Sequence, residues 1–148
     1  LVIKVFQSLQ KGFGGNMNEQ TGKIKLIFTI VFVSVLLIAF ALITKTAGAD
    51  VKNDILRVRG LYGINVPLCD IIEVKKLDTL PAGGRRTNGL GIGPINIGHF
   101  KYDELGSVRL CVIKREAPYI LVITENEKII INIGKTANGE LYKKLIKE

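Results

Sequence analysis

Glycines at 89, 91 and 93 follow paired arginines at 85 and 86 in the stretch RRTNGLGIGPINIGHF (Arg85–Phe100), which also holds His99, the chain's single histidine. Two readings fit these residue types at this spacing. In the first, the glycines permit positive φ and successive backbone N–H groups cup an anion, with the guanidinium groups supplying charge. The candidate anion-binding set is then Arg85, Arg86, Thr87, Asn88, Gly89 and Gly91. In the second, the glycines allow bulges where a small barrel turns a corner, and Asn88-Gly89 is a turn dipeptide. Thr87 and Asn88 would then bond the loop's own backbone. A dinucleotide fingerprint is excluded, because it needs a helix opening inside the glycine run, whereas Pro94 and the strand-like INIG follow here.

Other chemistry finds little material. One histidine gives no cluster with metal-ligand spacing, so neither a metal site nor a cofactor is expected. A thiol nucleophile would need Cys69 or Cys111 beside His99. Both cysteines lie in apolar runs (PLCDII and RLCVIK), where a buried thiol acts as a small hydrophobe. Two cysteines are too few for a disulfide scaffold, and a single Cys69–Cys111 bridge stays open only for a domain outside the cytoplasm. The carboxylates Asp103-Glu104 and Glu125/Glu127 fall at expected turns, where solvation rather than acid–base work is the usual fate. Single-stranded nucleic-acid binding needs exposed aromatics among the basic residues. Aromatics are 7% of this chain and mostly fall at apolar-facing positions or in the long apolar run, so no nucleic-acid partner is expected. No catalytic residue emerges.

The elements that must position these residues are mainly β. Ile55–Arg59 alternates, with Leu56 and Val58 on one face. Ile64–Leu68 continues as a strand, and Pro67 puts it at an edge or strand end. Asp70–Leu77 carries Ile72 and Val74 as its apolar positions. Ile92–Tyr102 is an irregular strand broken by Pro94 and Gly98. Ser107–Lys114 sets Val108, Leu110 and Val112 opposite Arg109, Cys111 and Ile113. Tyr119–Thr124 (YILVIT) is apolar on both faces and therefore central, and Ile129–Ile133 returns from it after a turn at 125–128. In the last segment Leu141, Tyr142, Leu145 and Ile146 stand at helical spacing, with Asn138 as the expected N-cap. About seven strands and a closing helix result.

Ahead of them, Leu26–Ile43 is uncharged, with Thr29 and Ser34 its polar members. Eighteen helical residues cover about 27 Å, enough for a hydrocarbon core. The run is too long for the usual apolar core of a cleaved signal, although Ala47-Gly48-Ala49 has the small-x-small form of a cleavage site before Asp50. A retained signal-anchor over 23–44 is the preferred reading, followed by a linker at 45–53 and a folded domain at 54–148. Residues 1–22 form an N-terminal tail. The only methionine is Met17, and the reading is that translation starts there, with 1–16 not native. Lysines close before the span (Lys23, Lys25) keep the short N-terminus cytoplasmic and place the domain outside the cytoplasm, on a single-pass membrane protein. The net charge is +8, and from Val51 onward 16 Lys/Arg stand against 11 Asp/Glu, a surplus of five positive charges that suits anionic surfaces.

The order of seven strands and a C-terminal helix resembles a pleckstrin-homology-like domain. More narrowly, RRTNGLGIGPINIGHF followed by VRLCVI, PYILVIT, KIIINI and ELYKKL is similar to a family of bacterial PH-like domains, over about Val51 to Glu148. The Arg86–Gly91 segment and the Pro118-Tyr119 strand start carry most of the likeness. His99 departs from it, standing where a basic residue, usually arginine, would be expected, and Cys69 stands where a small polar residue would. The resemblance implies a PH-like small barrel behind a membrane span, with no catalysis. The resemblance carries over no binding site; the expected role is an interaction module that binds a protein partner or itself, with the residues of Arg85–Gly93 offering an anionic lipid or polyanion as the alternative.

Overall fold

The computed structural model describes residues 19–146; the tail 1–16 and the Met17 start lie outside the described residues. The chain divides into two compact units between Phe40 and Ala41. Helix α1 runs Glu19–Thr46. Its segment Thr21–Ile43 has a mean hydropathy of 3.1 and is long and apolar enough to cross a membrane. The two polar side chains expected in the run are satisfied locally: Thr29 Oγ1 donates to the Lys25 carbonyl at 3.0 Å and Ser34 Oγ to the Ile30 carbonyl at 2.8 Å.

The described residues then form nine strands in two sheets and a closing helix. The fold is mainly β, as the alternation predicts, but it is not a closed barrel. β1 (Gly48–Lys52), β2 (Ile55–Arg59) and β3 (Ile64–Pro67) make an antiparallel three-stranded sheet. A short 3-10 turn, Leu68–Asp70, leads on. β4 (Ile71–Leu77), β5 (Arg85–Ile92), β6 (Ile95–Tyr102), β7 (Gly106–Val112), β8 (Tyr119–Thr124) and β9 (Lys128–Asn132) form a six-stranded sheet in the order β4-β8-β9-β7-β6-β5. Every pairing is antiparallel except β7 with β9. Helix α2 spans Lys135–Leu145.

Two strands exceed the seven expected. β1 lies inside the stretch expected as a linker (45–53); GADVK has little apolar signal, and pairing with β2 makes it a strand. β5 is the glycine-dense stretch, which is extended backbone rather than a loop.

The centre of the six-stranded sheet, in β6 to β9, is buried on both faces, while the edge strands β4 and β5 are largely exposed. On one side Cys111, Ile120, Val122, Ile129 and Ile131 pack with Leu56, Val58 and Val66 of the small sheet and with Leu141 and Leu145 of α2. On the other, Phe100, Tyr102, Val108, Leu110, Val112, Tyr119, Leu121 and Ile130 form a second cluster, with Leu77 and Leu80 packed against it. β8 and β9 feed both clusters through alternate residues, which is why Tyr119–Ile123 and Ile129–Ile131 are apolar on both faces. Each fully buried isoleucine contributes about 1.5–3 kcal/mol.

Three expectations are corrected in detail. Ile72 is exposed, not inward, because a bulge between Ile71 and Glu73 shifts the register by one residue; Ile71 and Val74 then face the core. Ile146 lies past the end of α2 and is exposed. Asn138 does not cap α2: Gly134 precedes the first turn, and Asn138 sits inside the helix, fully buried. Its Nδ2 donates to the Pro118 carbonyl at 2.7 Å and to Asn132 Oδ1 at 2.8 Å, while its Oδ1 accepts from the Ile133 N–H at 3.0 Å. Asn132, equally buried, donates to the Glu116 carbonyl at 2.7 Å and accepts from the Gly134 N–H at 3.1 Å. This pair ties α2, the end of β9 and the β7–β8 connection together.

Candidate functional site

The Arg85–Phe100 stretch folds as a hairpin at one edge of the large sheet. Gly93 (φ 56°) and Pro94 make the two-residue turn between β5 and β6. Gly89 and Gly98 stand directly opposite each other with φ of 127° and 125°. A Cβ on Gly98 would lie 2.7 Å from the Gly89 Cα, so the strands can approach this closely only with glycine at both positions. Asn88-Gly89 is therefore not a turn. A bulge does occur, between Arg86 and Asn88, with Thr87 as the extra residue.

That geometry disperses the six candidate anion ligands. Arg86 lies opposite Phe100 and Arg85 opposite Lys101. Successive strand residues point to opposite faces, so the two guanidinium groups diverge. Thr87 Oγ1 donates to the His99 carbonyl at 3.0 Å. Asn88 Oδ1 accepts from the Tyr62 hydroxyl at 2.9 Å. Gly89 and Gly91 share a face with Arg86, whose Nη1 lies 3.5 Å from the place a Cβ on Gly91 would take. Among the described residues neither Arg85 nor Arg86 has an acidic partner.

Beside the hairpin lies a polar bridge. The β2–β3 turn brings Tyr62 edge-on to His99, ring centroids 5.6 Å apart. Arg109 of β7 donates through Nη1 to the Tyr62 carbonyl at 3.3 Å and pairs through Nε with Glu127 Oε2 at 2.8 Å. Both partners are largely buried, so the pair joins the β8–β9 turn to β7 and the small sheet. Sequence reasoning placed Glu127 in solvent. The signal available was Arg109 itself, a cation on an otherwise buried strand that needs a partner.

The cysteines separate. Cys69, expected to be buried, is exposed on the 3-10 turn, its Sγ 3.5 Å from Asp70 Oδ1; Cys111 is buried, and both are free thiols. Burial pushes the Cys111 thiol up to about 11, which keeps it protonated at neutral pH and a poor nucleophile. Burial, and then the neighbouring Tyr119, raises the Tyr102 hydroxyl above its ordinary value. Among the described residues no three His, Cys, Asp or Glu side chains gather as metal ligands would.

Four sheet edges remain, and they differ. β4 carries Glu73, Lys75 and Lys76 and a bulge. β1 carries Asp50 and Lys52, and β3 is four residues long and ends on Pro67. Charge, bulges, shortness and proline are the usual means of keeping edges from pairing. β5 has its bulge and arginines at one end only. Beyond them Asn88–Ile92 is uncharged, with Ile92 half exposed, and pairs with β6 alone.

Residues 48–135 match the family model for the bacterial PH domain, and the chain belongs to that family. Comparisons with curated proteins and with solved structures returned no match. PH-like domains are generally non-catalytic and serve in protein or lipid interaction.

Proposed function

We propose that the chain is a membrane-anchored, non-catalytic interaction module whose β5 edge takes an extended segment of a protein partner or of a second copy. The free, uncharged edge at Asn88–Ile92 carries this reading. Strand addition supplies backbone hydrogen bonds along such an edge. Gly91 adds to it: its φ is not positive, and a Cβ there would meet only the ends of the Asn96 and Arg86 side chains, at 3.3 and 3.5 Å, so its backbone conformation does not demand glycine. The anchor is α1, retained. Cleavage between Ala49 and Asp50 would cut β1 after its second residue and remove part of the region that matches the family. Lys23 and Lys25 favour a cytoplasmic N-terminus, with the domain outside.

Photo-cross-linking tests the docking edge. With a benzophenone side chain at Ile92 in the full chain, expressed in membranes of its native host, a discrete protein adduct is expected. The same probe at Lys143, exposed on α2, is expected to give none. Equal labelling from both positions would remove the proposal.

A second reading is an anionic partner on the Arg86 face of the hairpin, favoured by the unpaired guanidinium over Gly91. It predicts that adducts from a probe at Gly91, on the Arg86 face, fade with rising salt and with Arg86→Ala, whereas backbone pairing is insensitive to both.

A further inference from the structure

An open cavity of about 630 Å³ lies in the second unit, lined by Leu42, Ile43, Lys45, Thr46, Arg59 and Leu61 among others. Its size is that of a small-molecule site. Its lining is of two kinds. Leu42, Ile43 and the exposed Leu61 at the β2–β3 turn supply an apolar wall, and Lys45 and Arg59 supply two cations beside the Thr46 hydroxyl. The turn lies close to the residue that follows α1: a Cβ on Gly60 would sit 3.3 Å from the Ala47 Cα. One residue separates α1 from β1, and Gly48 pairs with Arg59, so Arg59 is held by register rather than by a flexible tether.

Leu42 and Ile43 are also the last residues of the apolar segment. In a retained span they mark the hydrocarbon boundary, and Lys45 and Arg59 fall at headgroup level, where basic residues meet anionic lipid. Asp50 is the acidic group facing Arg59, its Oδ1 3.4 Å from Nε. Arg57 lies directly across from Asp50 and keeps the neighbourhood positive.

We propose that this cleft binds an anionic phospholipid, its phosphate between Lys45 and Arg59 and its glycerol and upper acyl carbons against Leu42, Ile43 and Leu61. The proposal rests on α1 being retained as an anchor. The probe is a mixed micelle of phosphatidylglycerol and phosphatidylcholine in equal amounts. Full-length chain is purified through it, washed in detergent, and its retained lipid is quantified by mass spectrometry. The expected result is a several-fold enrichment of phosphatidylglycerol, lost in Lys45→Gln/Arg59→Gln and reduced in Leu61→Asn, with the thermal unfolding of the domain unchanged. Excess inorganic phosphate is expected to leave the enrichment intact. Lipid retained in the proportion supplied, enrichment surviving the double substitution, or displacement by free phosphate would each overturn the site. The mass of the chain recovered from membranes separates the two failures. A chain beginning at Asp50 refutes the anchor, whereas an intact chain without enrichment refutes only the cleft.

Discussion

Gly98→Ala is expected to destabilise the domain by about 3 kcal/mol or more, a large part of the roughly 5–15 kcal/mol typical of a domain. Two costs combine. The residue holds φ 125°, a conformation that costs a side-chain-bearing residue about 1–3 kcal/mol. The added methyl would also overlap the Asn88 carbonyl oxygen and the Gly89 Cα, and relieving such overpacking costs about 1–3 kcal/mol more. The strands cannot simply part, because β6 is also paired with β7 and buries Ile97 and Phe100. Gly93→Ala is the control. Its φ is also positive, at 56°, but nothing lies within 4 Å of the added carbon, so about 1–2 kcal/mol is expected. Denaturant unfolding of the three chains checks this, and equal losses for the two variants would show that close strand approach is not what glycine serves at position 98.

Asn138→Leu is expected to cost about 3 kcal/mol. The side chain is fully buried, and its removal strands the Ile133 N–H and the Pro118 carbonyl while taking one donor from Asn132. A buried polar group left without a partner costs about 1–3 kcal/mol. Leucine keeps the volume and favours the helix, so lost packing does not explain the effect. Because Asn132 and Asn138 bond each other, the Asn132→Ala/Asn138→Ala double variant is expected to lose clearly less than the sum of the two single losses. Additive losses in thermal or urea unfolding would contradict a shared network.

These two residues mark how far the sequence could be read. The central position of β8 is legible because Tyr119–Ile123 is apolar on both faces, which a strand buried on both faces needs. Val108, Leu110 and Val112 were legible by alternation and do share the second core cluster. Ile72 was misplaced because a bulge moves the period by one residue, and no composition signal marks a bulge. Asn138 was misplaced because asparagine near a helix start usually caps it, and only the fold reveals the buried carbonyl and amide that claim its side chain here. The glycine stretch was read for the freedom of its residues. The partner of Gly89 lies across the hairpin at Gly98, a pairing that local spacing does not encode. Arg85 and Arg86 looked like one charge cluster for the same reason: adjacent in sequence, they face opposite sides once the stretch is a strand.

Amide hydrogen exchange reads directly whether β5 offers its backbone to a partner. Full-length chain in isolated native membranes is compared with the same chain purified in detergent. Amides within Asn88–Ile92 are expected to exchange about ten-fold or more slowly in the membranes, equivalent to roughly 1.4 kcal/mol of protection, while β4 amides on the opposite edge are unchanged. Identical rates along β5 in the two preparations would contradict it.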